Sequence, residues 1–79
     1  MLPRYLREPE VRARYGISSA TVWRWARDGI IPPPIKVGGN TTCWIAAEVD
    51  RVDEAREAGA SAGEIKALVR RIVAERGGL

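Results

Sequence analysis

Apolar residues recur at helical intervals in two separate parts of this chain, and a short piece between them alternates apolar with polar. Val22, Trp25 and Ala26 lie at i, i+3 and i+4 between Ser18 and Gly29, a spacing that puts them on one helical face. Ser18 suits the N-cap of that helix, and Gly29 suits the position past its end. Ser19, Ala20, Trp23, Arg24 and Arg27 then point elsewhere. Upstream, a first helix is expected over residues 9–15, with Pro9 in its first position, Glu8 as a poor cap and Glu10 near the positive helix end. Val11 and Tyr15 should face inward, with Ala13 partly buried. Gly16 supplies a sharp turn and Ile17 plugs the corner, so residues 9–28 read as a helix-turn-helix. Residues 1–7 carry Pro3 and no periodicity, so an extended arm is expected there, with Leu6 dropping back onto the core.

After Gly29, the run Ile30-Ile31-Pro32-Pro33-Pro34 forbids a helix and stiffens the chain as polyproline II. A proline-rich ligand for another domain is the rival reading. Ile35-Lys36-Val37 alternates as a half-exposed strand does, Gly38-Gly39-Asn40 tolerates the positive φ of a tight turn, and Thr41-Thr42-Cys43-Trp44-Ile45 is rich in strand formers. A two-stranded hairpin directly after a helix-turn-helix is a wing. A third helix is expected over 47–58, with Val49, Val52 and Ala55 covering the helix pair and Gly59 ending it. Ser61-Ala62-Gly63-Glu64 is a capping box for a fourth helix, closed by Gly77-Gly78. Its residues Ile65, Leu68, Val69, Ile72 and Val73 form an amphipathic stripe. The small core offers limited surface to receive it, so pairing with a second copy through these five residues is the preferred reading. Folding back onto the monomer and docking an integrase or another protein are the alternatives, with Lys66, Arg70, Arg71 and Arg76 on the polar sides available to a partner or to DNA backbone.

The fold class expected is therefore mainly α: a winged helix-turn-helix with a two-stranded β-hairpin wing and an additional C-terminal amphipathic helix. Residues 1–7 form the arm, 8–58 the DNA-binding domain, and 60–79 the C-terminal helix as a candidate dimerisation element. Composition narrows the function. A chain of 79 residues, 46% hydrophobic, holds one ordered domain. It has no apolar run of the roughly 20 residues that a membrane span needs, and no apolar segment near its start, so neither a membrane partner nor a signal peptide is expected. The single Cys43 excludes an internal disulfide framework, and the lack of histidine removes histidine-based metal sites and acid–base pairs. No enzyme, cofactor or metal is expected. The net charge of +3 is unevenly spread: residues 1–44 hold seven basic and three acidic side chains, and residues 45–79 hold six and seven. The basic excess accompanies the helix-turn-helix, as phosphate contact requires.

Arg24 suits a bidentate contact to guanine, and the competing reading is an i, i+4 pair with Asp28. Arg27, farther from the helix start, is expected to contact phosphate in preference to reading a base. Trp25 fills the core, which leaves Trp23 as an exposed indole of the kind that marks interfaces. DNA is its first expected partner, and core packing or self-association the second. Trp44 should pack the wing onto the helices, and Cys43 should be a small buried hydrophobe. Thr21 either reaches a base or bonds back within its helix. Arg12 and Arg14 either touch phosphates or are simply solvated, and Arg4 and Arg7 in the arm are candidates to enter an adjacent groove.

The string Glu10-Val11, Ala13, Gly16-Ile17-Ser18, Thr21-Val22-Trp23-Arg24, Gly29, Pro32, Pro34-Ile35-Lys36-Val37-Gly38-Gly39, Trp44 and Glu48-Val49 resembles the AlpA and excisionase-type small winged helix-turn-helix proteins, distant relatives of the MerR DNA-binding domain. The resemblance covers about residues 6–52. Members are phage or mobile-element proteins that regulate transcription or bend attachment-site DNA for an integrase. It implies that Ser19, Ala20, Thr21 and Arg24 occupy major-groove positions. Trp23 takes a place, commonly tyrosine, near the DNA backbone, and Lys36 with the turn from Gly38 to Thr42 forms the wing. This chain departs from the pattern at Asn40, where the family often has arginine, and at Cys43 and Ile45, where further basic residues are usual. The expected double-stranded DNA contacts are thus Ser18, Ser19, Ala20, Thr21, Trp23, Arg24, Arg27, Lys36, Gly39, Asn40 and Thr41. The implied function is that of an excisionase binding and bending attachment-site DNA in the cytoplasm of a bacterial host, at the nucleoid. The alternatives are an AlpA-like transcriptional regulator and a protein-docking module.

Overall fold

In the computed structural model, which describes residues 4–77, the elements run β1 (Tyr5–Leu6), α1 (Glu8–Tyr15), α2 (Ser19–Arg27), β2 (Ile35–Gly38), β3 (Thr41–Ile45), α3 (Ala46–Glu57) and α4 (Ala62–Gly77). The expected arm at 1–3 and the closing Gly78 lie outside the described residues. Helix α1 begins one residue earlier than expected. Glu8 is inside it, paired with Arg12 at 2.6 Å, and the carboxylate at the third position, Glu10, accepts the Arg7 N–H at 2.9 Å. Ala13 is exposed, not partly buried, because α1 turns only Val11 and Tyr15 inward. Gly16 ends the helix at φ +65°. Ser18 then caps α2 by accepting the Thr21 N–H at 3.2 Å, as its sequence position predicts.

The sheet has three strands, not two, in the antiparallel order β1-β3-β2. Tyr5 and Leu6 pair with Ile45 and Trp44, and the Ala46 N–H donates to the Arg4 carbonyl at 2.9 Å. The arm thereby satisfies backbone groups that β3 would otherwise leave unpaired. Two residues are too few to show a strand period. In β2, a bulge between Lys36 and Gly38 breaks the alternation. Val37, expected to face inward, is 47% exposed. Among the turn residues only Gly39 takes positive φ, at +53°.

Buried side chains form two clusters. Leu6, Val11, Val22, Ile31, Trp44 and Val49 join the helix-turn-helix to the sheet, with Tyr15, Ile17, Trp25 and Ala26 packed around them. Val52, Ile65, Val69 and Ile72 form the second, with Ala55, Ala60 and Leu68 against it. Helix α3 is the wall between them, presenting Val49 to one side and Val52 to the other. The stripe of α4, expected from the sequence to pair with a second copy, is mostly used within the chain. Ile65, Val69 and Ile72 are buried within the chain, Leu68 is half-buried, and only Val73 stays exposed, at 39%. The sequence pattern assigned the apolar side of α3 to the helix pair alone. In the fold its lower half receives α4, which runs back antiparallel. Glu48 in the first turn of α3 pairs with Arg76 in the last turn of α4, and Arg51 in the middle of α3 meets Glu75 at 2.8 Å.

Ion pairs knit α3 to its neighbours. The Arg14 guanidinium donates to Asp50 at 2.5 Å and Asp53 at 2.8 Å, and the Tyr15 hydroxyl donates to Asp53 at 2.6 Å. Burial foremost, and then the bond to Asp53, push the Tyr15 phenol well above its ordinary range. No helix among the described residues is long and apolar enough to cross a membrane.

Candidate nucleic-acid interface

Helix α2 positions its side chains by simple periodicity. Val22 is fully buried, Trp25 and Ala26 pack on the core, and Ser19, Ala20, Trp23, Arg24 and Arg27 are exposed on the outward face. The N-cap ties three expected site residues together. Ser18 Oγ and Thr21 Oγ1 lie 3.0 Å apart, and Arg24 Nη2 donates to Thr21 Oγ1 at 3.3 Å. Thr21 thus bonds within its own helix and holds the Arg24 guanidinium near the N-terminal turn.

The pair that would have neutralised Arg24 does not form. Asp28 is held by Arg27 at 3.0 Å, through an arginine side chain 73% exposed. An ion pair so open to water contributes little, which leaves Arg27 free to turn toward a phosphate. Arg24 has no carboxylate partner among the described residues.

Trp23 is neither a core residue nor a free one. The residue is 45% exposed, and its ring lies 5.3 Å from the ring of Trp44, tilted by 51°. Trp44 is fully buried beneath it and joins the sheet to the helices, as expected. The Trp44 Nε1 is buried without an acceptor among the described residues. One side of Trp23 is therefore anchored on Trp44 of β3, and the rest is open. Trp25 instead packs edge-on against Tyr15, with centroids 5.5 Å apart.

The wing carries Lys36, Gly38, Gly39 and Asn40 in exposed positions, with Thr41 and Thr42 half-buried. No hydrogen bond or ion pair joins it to the outward face of α2 among the described residues, so the two sets of expected contacts form separate surfaces. Cys43 is buried, as expected.

Electrostatics unites them. Between Val11 and Ala47 the chain has one acid, Asp28, against Arg12, Arg14, Arg24, Arg27 and Lys36. The acids that follow are largely occupied: Glu48 by Arg76, Asp50 by Arg14, and Asp53 by Arg14 and Arg56. Arg14 is thus a structural brace with no guanidinium to spare for phosphate, and Arg12 pairs with Glu8. Arg4 donates to the Tyr5 hydroxyl at 3.3 Å and Arg7 is exposed. A cavity of about 420 Å³ lies elsewhere, lined by Ile30, Arg56, Ala60, Ala62, Ile65 and Lys66. None of the expected DNA contacts lines it. No cluster of side chains among the described residues could hold a metal ion.

Sequence reasoning missed the roles of Arg56 and Arg76, which reach carbonyls of the proline-rich connector between α2 and β2. No local pattern signals a bond across 26 or 43 residues.

The family described as "Prophage CP4-57 regulatory protein (AlpA)" matches residues 4–52. The match contains every expected DNA contact and ends inside α3. A relative, "Uncharacterized protein ORF88" of Enterobacteria phage P4, is 37% identical over 60 residues, covering 76% of this chain and 68% of the relative. No solved structure matches the chain significantly.

Proposed function

The chain belongs to the AlpA family of prophage regulatory proteins, and from that membership we propose that it regulates transcription by binding double-stranded DNA sequence-specifically. The observation that carries this reading is the outward face of α2, where Arg24 stands without a carboxylate partner among the described residues, in a stretch almost free of acids. In this reading α2 enters the major groove. Arg24 bonds guanine O6 and N7, Ser19 and Thr21 offer hydroxyls to base edges, and the Ala20 methyl meets a thymine methyl. The Ser18 end of the helix, Trp23 and Arg27 lie on the backbone and fix register. Lys36, the Gly39 N–H, Asn40 and Thr41 reach phosphates of the next groove. The protein acts by occupying DNA and does no covalent chemistry, so its place of action is the nucleoid of a bacterial host.

The excisionase reading, with several copies bending attachment-site DNA for an integrase, uses the same surface. The family description speaks of regulation, which puts transcription control first.

A footprint across a salt series, on DNA upstream of the protein's own gene and at the nearest integrase attachment site, separates the readings. Salt-sensitive protection of one promoter-proximal site, weakened by Arg24→Ala, is the expected result. Several adjacent protected sites with bent DNA at the attachment site would move the assignment to excisionase. Absence of salt-sensitive protection on both fragments would overturn DNA binding, because phosphate contacts release counterions.

A further inference from the structure

The connector from α2 to β2 is one of the ties that place the wing relative to α2, beside the shared core and the Trp23–Trp44 contact. At its start, the Ile30 and Ile31 N–H groups donate to the Trp25 carbonyl at 2.9 and 3.4 Å. Ile31 and Pro32 are fully buried. Pro32, Pro33 and Pro34 have no N–H, so the connector has few ways to tie itself down.

Two arginines from the opposite side do so. Arg56, in the last turn of α3, donates to the Ile30 carbonyl through Nη2 and to Asp53 through Nη1 at 3.0 Å. Arg76, in the last turn of α4, donates to the Pro33 carbonyl at 2.8 Å and, through Nε, to Glu48 at 2.8 Å. Each guanidinium bridges a carboxylate of α3 and a connector carbonyl. The planar fork with several donors suits that double task, and a lysine ammonium does not reproduce it. Both arginines are half-buried, and both lie beyond the residues that match the family.

We propose that Arg56 and Arg76 are positioning residues. The α3–α4 hairpin braces the connector through them, holds the wing at one angle to α2, and so sets the spacing between major-groove and wing contacts on DNA. The last step rests on the DNA-binding reading.

The test compares Arg56→Lys and Arg76→Lys with wild type and with Arg51→Lys. The last makes the same exchange of guanidinium for ammonium at the other α3–α4 ion pair, with Glu75, without touching the connector. Residual dipolar couplings of the free proteins report the relative orientation of α2 and the β2–β3 wing. One shared alignment tensor is expected for wild type and Arg51→Lys, and separate tensors for the two connector variants, with cooperative melting retained in all. A shared tensor in the connector variants would overturn the brace.

Hydroxyl-radical footprints on the operator test its role on DNA. The connector variants should keep the α2 protections and lose those of the wing. The slope of log affinity against log salt should become shallower by about 0.9 for each phosphate that the wing no longer neutralises. Separate tensors with an unchanged footprint would overturn the effect on spacing while leaving the brace. Wild type that binds no DNA would overturn the function proposed above, and the couplings would still decide the brace.

Discussion

Arg24 and Arg27 sit one turn apart, with the same charge and different consequences. Arg24 is held near the helix start by Thr21 and has no carboxylate partner among the described residues, so on the proposed DNA-binding reading its removal should be felt at one base pair. Arg24→Ala is expected to cost about 1–3 kcal/mol of discrimination at the base it reads, seen by competition titration with single-base operator variants. Arg27→Ala should weaken all sequences alike and make the salt slope shallower by about 1. Tyr15 gives a pH signature. Its phenol ionises near 10.0 in its ordinary state and higher in the fold, so the folded protein keeps a proton that the unfolded chain loses. The resulting stability is full below about pH 10 and falls as pH rises from there through the folded value. Urea titrations from about pH 8 to 11 should show that fall, and Tyr15→Phe should flatten it. The Ser18 cap and the outward placing of Arg24 and Arg27 were legible because they follow from position along one helix. The pairing of Asp28 with Arg27 and not Arg24 was not, since both partners are within reach and side-chain geometry decides between them.

At the scale of elements, the capping box of α4 forms as the pattern Ser61-Ala62-Gly63-Glu64 demands. Glu64 Oε1 accepts the Ser61 N–H at 2.9 Å, and Ser61 Oγ accepts the Glu64 N–H at 3.2 Å. These bonds hold the Glu64 carboxyl below its usual range. Ser61→Ala should cost about 1 kcal/mol, measurable as a shift of the urea midpoint at constant slope. The α3–α4 seam depends far more on burial. Ile72→Ala should cost about 2–5 kcal/mol, a large share of the roughly 4–12 kcal/mol that a domain of this size possesses. Chemical denaturation should show Ile72→Ala close to the edge of folding and Val73→Ala near wild type, because Val73 faces water. The helices were readable from periodicity and caps. Strand β1 was not, because two residues carry no period and its pairing is with a strand about 40 residues away in the chain.

Across the whole molecule, the distribution of ion pairs matters more than the net charge. Acids of α3 engage arginines from α1, α3 and α4, while α2 and the wing keep their cations nearly uncompensated. With three of the five stripe residues of α4 buried inside the chain, the free protein should sediment with the mass of one chain. Val73→Asp should leave that unchanged in analytical ultracentrifugation. Concentration-dependent doubling of mass, abolished by Val73→Asp, would restore a role for α4 in self-association.

The sequence by itself determined the helix-turn-helix, the wing and the outward face of α2. These follow from spacing over a few residues: a cap, a glycine that takes positive φ, and apolar positions at i, i+3 and i+4. Only the tertiary structure decided what covers α4, which strand completes the sheet and which arginines hold the connector. An amphipathic stripe states that it must be buried and says nothing of its partner. A guanidinium finds a carbonyl 43 residues away only after the intervening chain has folded and brought the two together.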